Sequence, residues 1–399
     1  MKHLQLKYTF LHIFYWAAFC CVAGFIAIFL QYKGFNNSQV GIVAGGGALM
    51  SVFLSPIVSN NIAKMPGMTT NKLLTIIILF DIACFLMMAF LPLPIILIMV
   101  LYISMHSLYL ATVPFLNQIA TNYIVAGEDL NFGLSRGCGS VAYASTAVVM
   151  GIIISKLNPT VLSVIFALMT ILTLVLLYSL PTIEIKVDTQ PKEKSDTSAF
   201  DIVKDYPVFF FLLLGVCMCF AASSSLATYL INIVKSLGGN ESLYGIAVFC
   251  MAASEMPAMA IAPAPCKRFN PVLLIGFCGF AYLIRNLTIC FAVNLPMLMI
   301  GMAFQSLSYG LFTAVIAYYI TYHLKFSDQM MGQTMVAMMT TGVGSTIGNF
   351  FGGIISDTFG LTGMFTFCVI LTVSGAAILF VTCFSQRKTL FVNDRFSNL

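Results

Sequence analysis

Long apolar segments dominate the sequence, and their length decides what the chain can fold into. Twelve of them can be drawn, at 8–30, 40–62, 73–91, 95–119, 131–155, 160–178, 208–232, 243–264, 272–293, 297–324, 330–355 and 363–384. A helix of about 20 predominantly apolar residues crosses the hydrocarbon core of a bilayer. Barrel strands would instead alternate apolar and polar residues. The sequence therefore predicts an all-α membrane protein with twelve transmembrane helices.

Composition argues against a soluble protein and against an enzyme. Charged residues make up 8% of the chain, whereas soluble domains carry about 25%. All twelve cysteines lie inside or at the ends of apolar segments, so we expect neither a disulfide framework nor a metal site. Paired carboxylates, an HExxH motif and a serine nucleophile motif do not occur. We expect no cofactor and no enzymatic activity.

Positive charges predict the orientation in the membrane. With the N-terminus inside, the outer loops receive Lys33, Lys156 and Lys235, and Arg285 lies within a helix. The other fifteen basic residues face the cytoplasm: Lys2, Lys7, Lys64, Lys72, Arg136, Lys186, Lys192, Lys194, Lys204, Lys267, Arg268, Lys325, Arg387, Lys388 and Arg395. The positive-inside rule then places both termini in the cytoplasm, and we expect the protein in the plasma membrane. The net charge of +5 reflects this orientation, and no nucleic-acid surface is indicated.

One long polar stretch divides the sequence into two halves. Pro181–Pro207 holds ten charged residues and predicts a cytoplasmic linker. The predicted domains are a six-helix bundle at 1–180, the linker at 181–207, a second six-helix bundle at 208–384 and a tail at 385–399. Segment 139–155 resembles 340–356, and 40–51 resembles 244–255 at nearly the same offset. Such a parallel repeat is typical of two six-helix bundles with pseudo-twofold symmetry, the major facilitator fold.

Ionisable residues inside the apolar segments are the candidate functional groups, because each costs about 2.5–3.5 kcal/mol to insert. Glu255 and Arg285 fall at matched depth in neighbouring antiparallel helices and predict either a structural ion pair or a proton- or solute-binding pair. Arg136 is either a cytoplasmic anchor or a cavity arginine that offers donors to a solute. Asp81 and His106 also lie on sequential antiparallel helices. They predict either a structural lock between these helices or part of a proton relay.

The segment LNFGLSRGCGSVAYAS at 130–145 resembles the fifth-helix motif of the lactose permease branch of the major facilitator superfamily, which includes the phenylpropionate permeases. The resemblance implies a solute site between two bundles near the membrane midplane. It implies that Arg136 binds a sugar, that Tyr143 stacks on it, and that Asn117 occupies the position of a sugar-binding carboxylate.

The second half of the chain carries the same resemblance. Glu255 and Arg285 resemble the glutamate and arginine which that branch uses in sugar binding and proton coupling. The segment AYYIT at 317–321 places Gln305 where the branch has a histidine and Ser308 where it has a proton-releasing glutamate. The loop SPIVSNNIAKMPG at 55–67 departs from the branch's motif, which is rich in Gly, Asp and Arg.

Together these patterns predict a monomeric secondary transporter that moves a small polar solute by proton symport and alternating access. The solute is a sugar, an oligosaccharide or a nucleoside. Substrate binding is assigned to Asn117, Arg136, Tyr143, Glu255, Arg285 and Gln305, and proton coupling to Glu255, Arg285, Asp81 and His106. The alternatives are an importer of aromatic carboxylates, since Arg136 can hold a carboxylate, and a drug exporter with an adaptable cavity rich in methionine and phenylalanine.

Overall fold

The computed structural model describes residues 3–62, 68–181 and 198–386. Parts of the predicted linker and tail lie outside these ranges, as does part of the 55–67 loop. Every regular element in the described ranges is a helix. Eleven helical runs are long and apolar enough to cross a membrane. The all-α membrane fold is confirmed.

The first ten runs each correspond to one predicted span, and we number them in chain order. They are Leu4–Gly24, Asn37–Val58, Thr70–Phe90, Ile95–Val125, Phe132–Ile154, Val161–Ser179, Pro207–Thr228, Glu241–Met259, Pro271–Cys290 and Leu295–His323. The last run, Phe326–Ser385, has 60 residues and changes direction at Gly360, where φ is +67°. It is long enough for two crossings and supplies the eleventh and twelfth spans.

The chain forms two compact units, whose bounds are Met1–Gln190 with Thr228–Phe249, and Pro191–Ala227 with Cys250–Leu399. In the first unit, the first span packs against the fifth and the sixth, and the second span packs against the fourth. Buried tyrosines tie the first span to the fourth. Tyr15 donates its hydroxyl to the carbonyl oxygen of Tyr109 at 2.9 Å, and Tyr109 donates to that of Tyr15 at 2.8 Å.

Residues 228–249 belong to the first unit although they follow the linker in sequence. The Tyr229 hydroxyl donates to the carbonyl oxygen of Asn37 at 2.9 Å, and the Asn232 amide donates to the Asn37 side-chain oxygen at 2.8 Å. Gly151 and Gly245 lie backbone to backbone, because a Cβ on Gly151 would be 3.1 Å from the Cα of Gly245. Glycine allows this close helix crossing.

In the second unit the ninth span lies against the tenth and against the long helix that ends the described chain. The buried core of the second unit includes Phe209, Leu213, Tyr282, Phe312 and Leu379. Gly348 packs directly on the seventh span, since a Cβ there would be 2.7 Å from the carbonyl carbon of Ala221.

Several spans depart from regular α-helix. The first continues through a π-helical turn at Cys20–Gly24 into Ile26–Tyr32, and a second π-helical stretch covers Met338–Gly344. The tenth is divided into Leu295–Ala303, a 3₁₀ turn at Phe304–Ser306 and Tyr309–His323. The eighth continues as a helix to Ile261 and is followed by the short helix Pro263–Arg268. Such irregular turns free backbone groups and re-aim side chains inside a bundle.

Candidate functional site

In the first unit, Arg136 lies on the fifth span, one turn after its start. Asn131 caps this helix, accepting a hydrogen bond from the Leu134 amide at 2.9 Å. The guanidinium carbon of Arg136 lies 3.9 Å from the centroid of the Trp16 ring, and its Nη1 donates to the Ser140 hydroxyl at 2.7 Å. Because guanidinium is planar and weakly hydrated, stacking on indole stabilises it in a half-buried setting.

Trp16 begins a run of aromatic rings beside this arginine. Its ring centroid lies 5.5 Å from that of Phe19, and Phe19 lies 6.2 Å from Tyr143. Gly139 makes room for the indole, because a Cβ there would be 2.5 Å from Trp16 Cδ1. Arg136 and Tyr143 therefore belong to one cluster with Trp16 and Phe19, which we call the aromatic–arginine cluster.

Asn117 is half-buried on the fourth span. Its backbone carbonyl accepts a hydrogen bond from the Thr121 hydroxyl at 3.3 Å. Its assignment to the same site as Arg136 and Tyr143 stays a prediction.

Asp81 and His106 are both buried in the first unit. Among the described residues, neither carboxylate oxygen of Asp81 nor the Nδ1 atom of His106 has a hydrogen-bond partner. The pairing that their sequential helices allow is therefore not formed. The imidazole of His106 instead lies 6.2 Å from Phe19, ring to ring, and packs on the second span, where a Cβ on Gly47 would be 2.6 Å from its Nδ1.

In the second unit, Glu255 and Gln305 meet at the break in the tenth span. Gln305 lies in the 3₁₀ turn, and its Nε2 donates to Glu255 Oε1 at 2.9 Å. Gly310 follows the break and lets the two helices approach, since a Cβ there would be 3.3 Å from the Cα of Glu255. Ser308 closes the break by donating to the Phe304 carbonyl at 3.1 Å.

Arg285 approaches the same carboxylate from the ninth span. Its side chain is 1% exposed and interacts electrostatically with Glu255. Nη1 donates to Asn286 Oδ1 at 2.9 Å, and Nη2 lies 3.9 Å from the Met251 sulfur. Glu255, Arg285 and Gln305 thus form one group, which we call the carboxylate cluster.

Asn286 orders this cluster from behind, and the sequence analysis missed it. Its Oδ1 accepts from Arg285 and also from the Ser223 hydroxyl at 2.9 Å. Its Nδ2 donates to the Thr372 hydroxyl at 2.9 Å and to the Cys219 carbonyl at 3.3 Å. The sequence feature that could have identified Asn286 is its position directly after Arg285, inside an apolar segment. Trp16 was also missed, and its signal was that it is the only tryptophan in the chain.

The described residues contain no group of three or more His, Cys, Asp or Glu side chains that could hold a metal ion. The chemistry of both clusters is that of neutral and charged hydrogen-bonding groups. One cluster presents a stacked cation beside aromatic rings, and the other presents a carboxylate that accepts a hydrogen bond from an amide and lies within the electrostatic reach of a buried guanidinium.

Known structures share this fold. The nucleoside transporter NupG superposes with a TM-score of 0.81 at 15% identity, over 99% of this chain and 100% of NupG. A bacterial homologue of the human lysosomal transporter Spinster, inward-facing and occupied, gives 0.69 at 13% identity over 100% of both chains. A POT family transporter in complex with a thioalcohol-conjugated peptide gives 0.71 at 11% identity, over 97% of this chain and 96% of that one. At these identities the likeness concerns the fold.

The sequence itself matches a family. No match was found among curated proteins, but the profile of the MFS_1 like family matches residues 3–367, most of the chain. The chain belongs to the MFS_1-like family and is a secondary transporter of a small solute, built on the major facilitator fold.

Proposed function

We propose that the protein carries a small polar solute together with a proton, and that Glu255 is the residue that takes up and releases the proton. The observation that carries this proposal is the contact at the break of the tenth span, where the Gln305 amide donates to the Glu255 carboxylate at 2.9 Å. A carboxylate within a membrane bundle is costly and is a functional candidate by default. The Gln305 amide can donate either to Glu255 or to a bound solute, and this exchange changes how readily the carboxylate takes up a proton.

Arg285 supports the same role. Its positive charge interacts with Glu255, while Asn286 holds the guanidinium in place at 2.9 Å. A solute hydroxyl that hydrogen-bonds to Glu255 or Gln305 would compete with the contact between them. Binding of the solute and protonation of the carboxylate are then linked, which is what symport requires.

We propose that the solute carries hydroxyl groups and a ring, as a sugar or a nucleoside does. The substrate-binding residues would be Asn117, Arg136, Tyr143, Glu255, Arg285 and Gln305. Rings of Trp16 and Phe19 beside Arg136 supply stacking surface, with a few polar groups to fix orientation. NupG, which has the same fold, is a nucleoside transporter.

An aromatic carboxylate is the second candidate solute. The observation that favours it is the stacked guanidinium of Arg136, 3.9 Å over the Trp16 ring. Such a cation offers paired donors to a carboxylate and lies next to aromatic rings that suit the solute's own ring.

We place the transporter in the plasma membrane as a monomer, with both termini in the cytoplasm. The distribution of basic residues, fifteen inside and three outside, supports this orientation. Asp81 and His106 remain secondary candidates for proton coupling in the first unit.

The test is proton movement in liposomes that contain the purified protein and a pH-sensitive dye. Sugars, nucleosides and aromatic acids are added in turn, and we expect alkalinisation outside with one class. Glu255→Gln should abolish this signal yet retain exchange of labelled solute across the membrane, because glutamine keeps a side-chain oxygen that can bond to the solute but cannot take up the proton. Arg136→Gln separates the solute classes, since aromatic acids depend on its charge more than sugars do.

Glu241→Gln is the matched control. Glu241 begins the same eighth span but is partly exposed and pairs with Lys235 at 2.9 Å, so its neutralisation should leave coupling intact. Proton movement that persists in Glu255→Gln, or is lost equally in Glu241→Gln, would show that Glu255 is not the coupling residue.

A further inference from the structure

An apolar groove lies on the second unit. It has a volume of about 480 Å³ and is formed by the end of the eighth span, the short helix after it, and the ninth and tenth spans. Its walls include Ala258, Ile261, Phe269, Leu273, Phe277 and Leu307. We call it the 258–311 groove, after its first and last lining residues.

One wall of the groove is the end of the eighth span and its continuation. The helix that ends at Ile261 joins the short helix Pro263–Arg268 through Ala262, which also has helical φ and ψ. The chain then turns at Phe269 and Asn270 before the ninth span begins at Pro271. Asn270 fixes that corner by accepting a hydrogen bond from the Val272 amide at 2.9 Å. The groove lies between this helical end and the first two turns of the ninth span, which Leu273 and Phe277 line.

The walls are suited to a hydrocarbon chain. Ile261 is 65% exposed, Phe269 57% and Leu273 46%, and in a membrane protein such residues face lipid. From Pro271, where the helix begins, to Phe277 the groove follows about 9 Å of helix, more than half the depth of one leaflet, whose hydrocarbon is about 15 Å thick. Contacts between membrane helices favour small residues, whereas this rim is made of large side chains.

An exposed arginine lies at one end of the groove. Arg268 is exposed and directly precedes Phe269, at the end of the helices where the apolar spans stop. Cationic side chains beside pockets between membrane helices hold anionic lipid head groups, each contributing about 1 kcal/mol. The combination of one cation with an apolar channel has the polarity of a phospholipid.

We propose that the 258–311 groove binds one acyl chain of an anionic phospholipid whose head group is held by Arg268. The bound lipid would fill the space between the end of the eighth span and the ninth and tenth spans. None of the residues that line the groove belongs to either cluster.

The test is native mass spectrometry of the purified full chain, titrated with dioleoylphosphatidylglycerol or dioleoylphosphatidylcholine. We expect one tightly retained phosphatidylglycerol. Ala258→Phe fills the groove and should weaken retention by about 15-fold for every two methylenes displaced. Arg268→Gln should weaken phosphatidylglycerol binding about fivefold and leave phosphatidylcholine unchanged.

Two control variants address non-specific effects. Ala377→Phe adds the same ring at an exposed position of the last helix, and Lys325→Gln removes an exposed cation after the tenth span. Both should retain the lipid as wild type does. Leu307→Trp fills the groove from the tenth span and replaces Ala258→Phe if that variant does not fold, as judged by its thermal unfolding.

Equal retention of lipid by Ala258→Phe and Ala377→Phe would overturn the groove assignment. Equal binding of the two lipids by wild type, or equal loss in Arg268→Gln and Lys325→Gln, would overturn the head-group assignment. A dimer that disappears in Ala258→Phe would identify the groove as an interface between copies and also overturn the proposal.

Discussion

Replacing Gly348 by alanine tests how tightly the second unit is packed. Gly348 lies against the backbone of the seventh span, and an added Cβ would be 2.7 Å from the Ala221 carbonyl carbon and 3.1 Å from its Cα. Carbon atoms in contact prefer about 3.5–4.0 Å, so the helices must separate by about 0.8 Å at least. Backbone atoms cannot turn aside as the end of a flexible side chain can.

The cost follows from that separation. Overpacking of this kind costs about 1–3 kcal/mol. The nearby Ser224–Ser345 hydroxyl hydrogen bond, at 2.9 Å, would be stretched or lost, which in membrane helices costs about 0.6 kcal/mol. A total of about 2.5 kcal/mol lowers Tm by about 5–10 °C, taking 2–4 °C per kcal/mol for a unit of this size.

The assay is a circular dichroism melt of purified protein in detergent. Gly137→Ala is the control, because nothing lies within 4 Å of the Cβ it would add. Alanine is the better helix former by about 0.5–1 kcal/mol, so this variant should match or slightly exceed wild type. A Tm for Gly348→Ala indistinguishable from wild type, or an equal fall in both variants, would refute the argument from helix contact.

Two further predictions concern the clusters. Trp16 is the only tryptophan and stacks on Arg136, so a solute that engages Arg136 should change the tryptophan fluorescence of the wild type. The response should be absent in Arg136→Gln. A solute that is transported without any such change would remove Arg136 from the binding site. Asn286→Leu leaves Arg285, Ser223 and Thr372 without their amide partner in a buried setting, so we expect a loss of about 2–4 kcal/mol of stability, measured by the same melt; an unchanged Tm would mean that these groups find other partners.

The membrane spans could be predicted because their cause is local. A run of about 20 apolar residues has few alternatives in a bilayer, and each predicted run has its helix. The interruptions could not be predicted, because they depend on contacts between helices. Segment 297–324 reads as one apolar helix, yet it breaks at Phe304–Ser306, where Gln305 turns toward Glu255. The left-handed Gly360 likewise looks like any other glycine in the sequence.

Charged candidate residues could be identified from the sequence, because a charge inside an apolar segment stands out. Glu255 and Arg285 were identified because an intramembrane charge is costly and usually has a partner. In the structure Glu255 accepts a hydrogen bond from Gln305 and interacts electrostatically with Arg285, and their role stays a prediction. Asp81 and His106 satisfied the same reasoning from sequence but do not bond. Matched depth on neighbouring helices leaves the rotation of each helix undetermined, and His106 turns toward Phe19 and Gly47.

The two clusters hold their arginines by different means, and this difference has a functional consequence. Arg285 is 1% exposed and is fixed by Asn286 and the Glu255 charge, so moving it would leave buried polar groups unpaired, a cost of about 1–3 kcal/mol each. Arg136 is half-buried, stacks on Trp16 and donates to Ser140; such stacking of a cation on an aromatic ring is worth about 0.5–2 kcal/mol. If the protein binds its solute and couples it to a proton as proposed, the half-buried arginine is the one that water and solute can reach, whereas Arg285 keeps a fixed positive charge near Glu255.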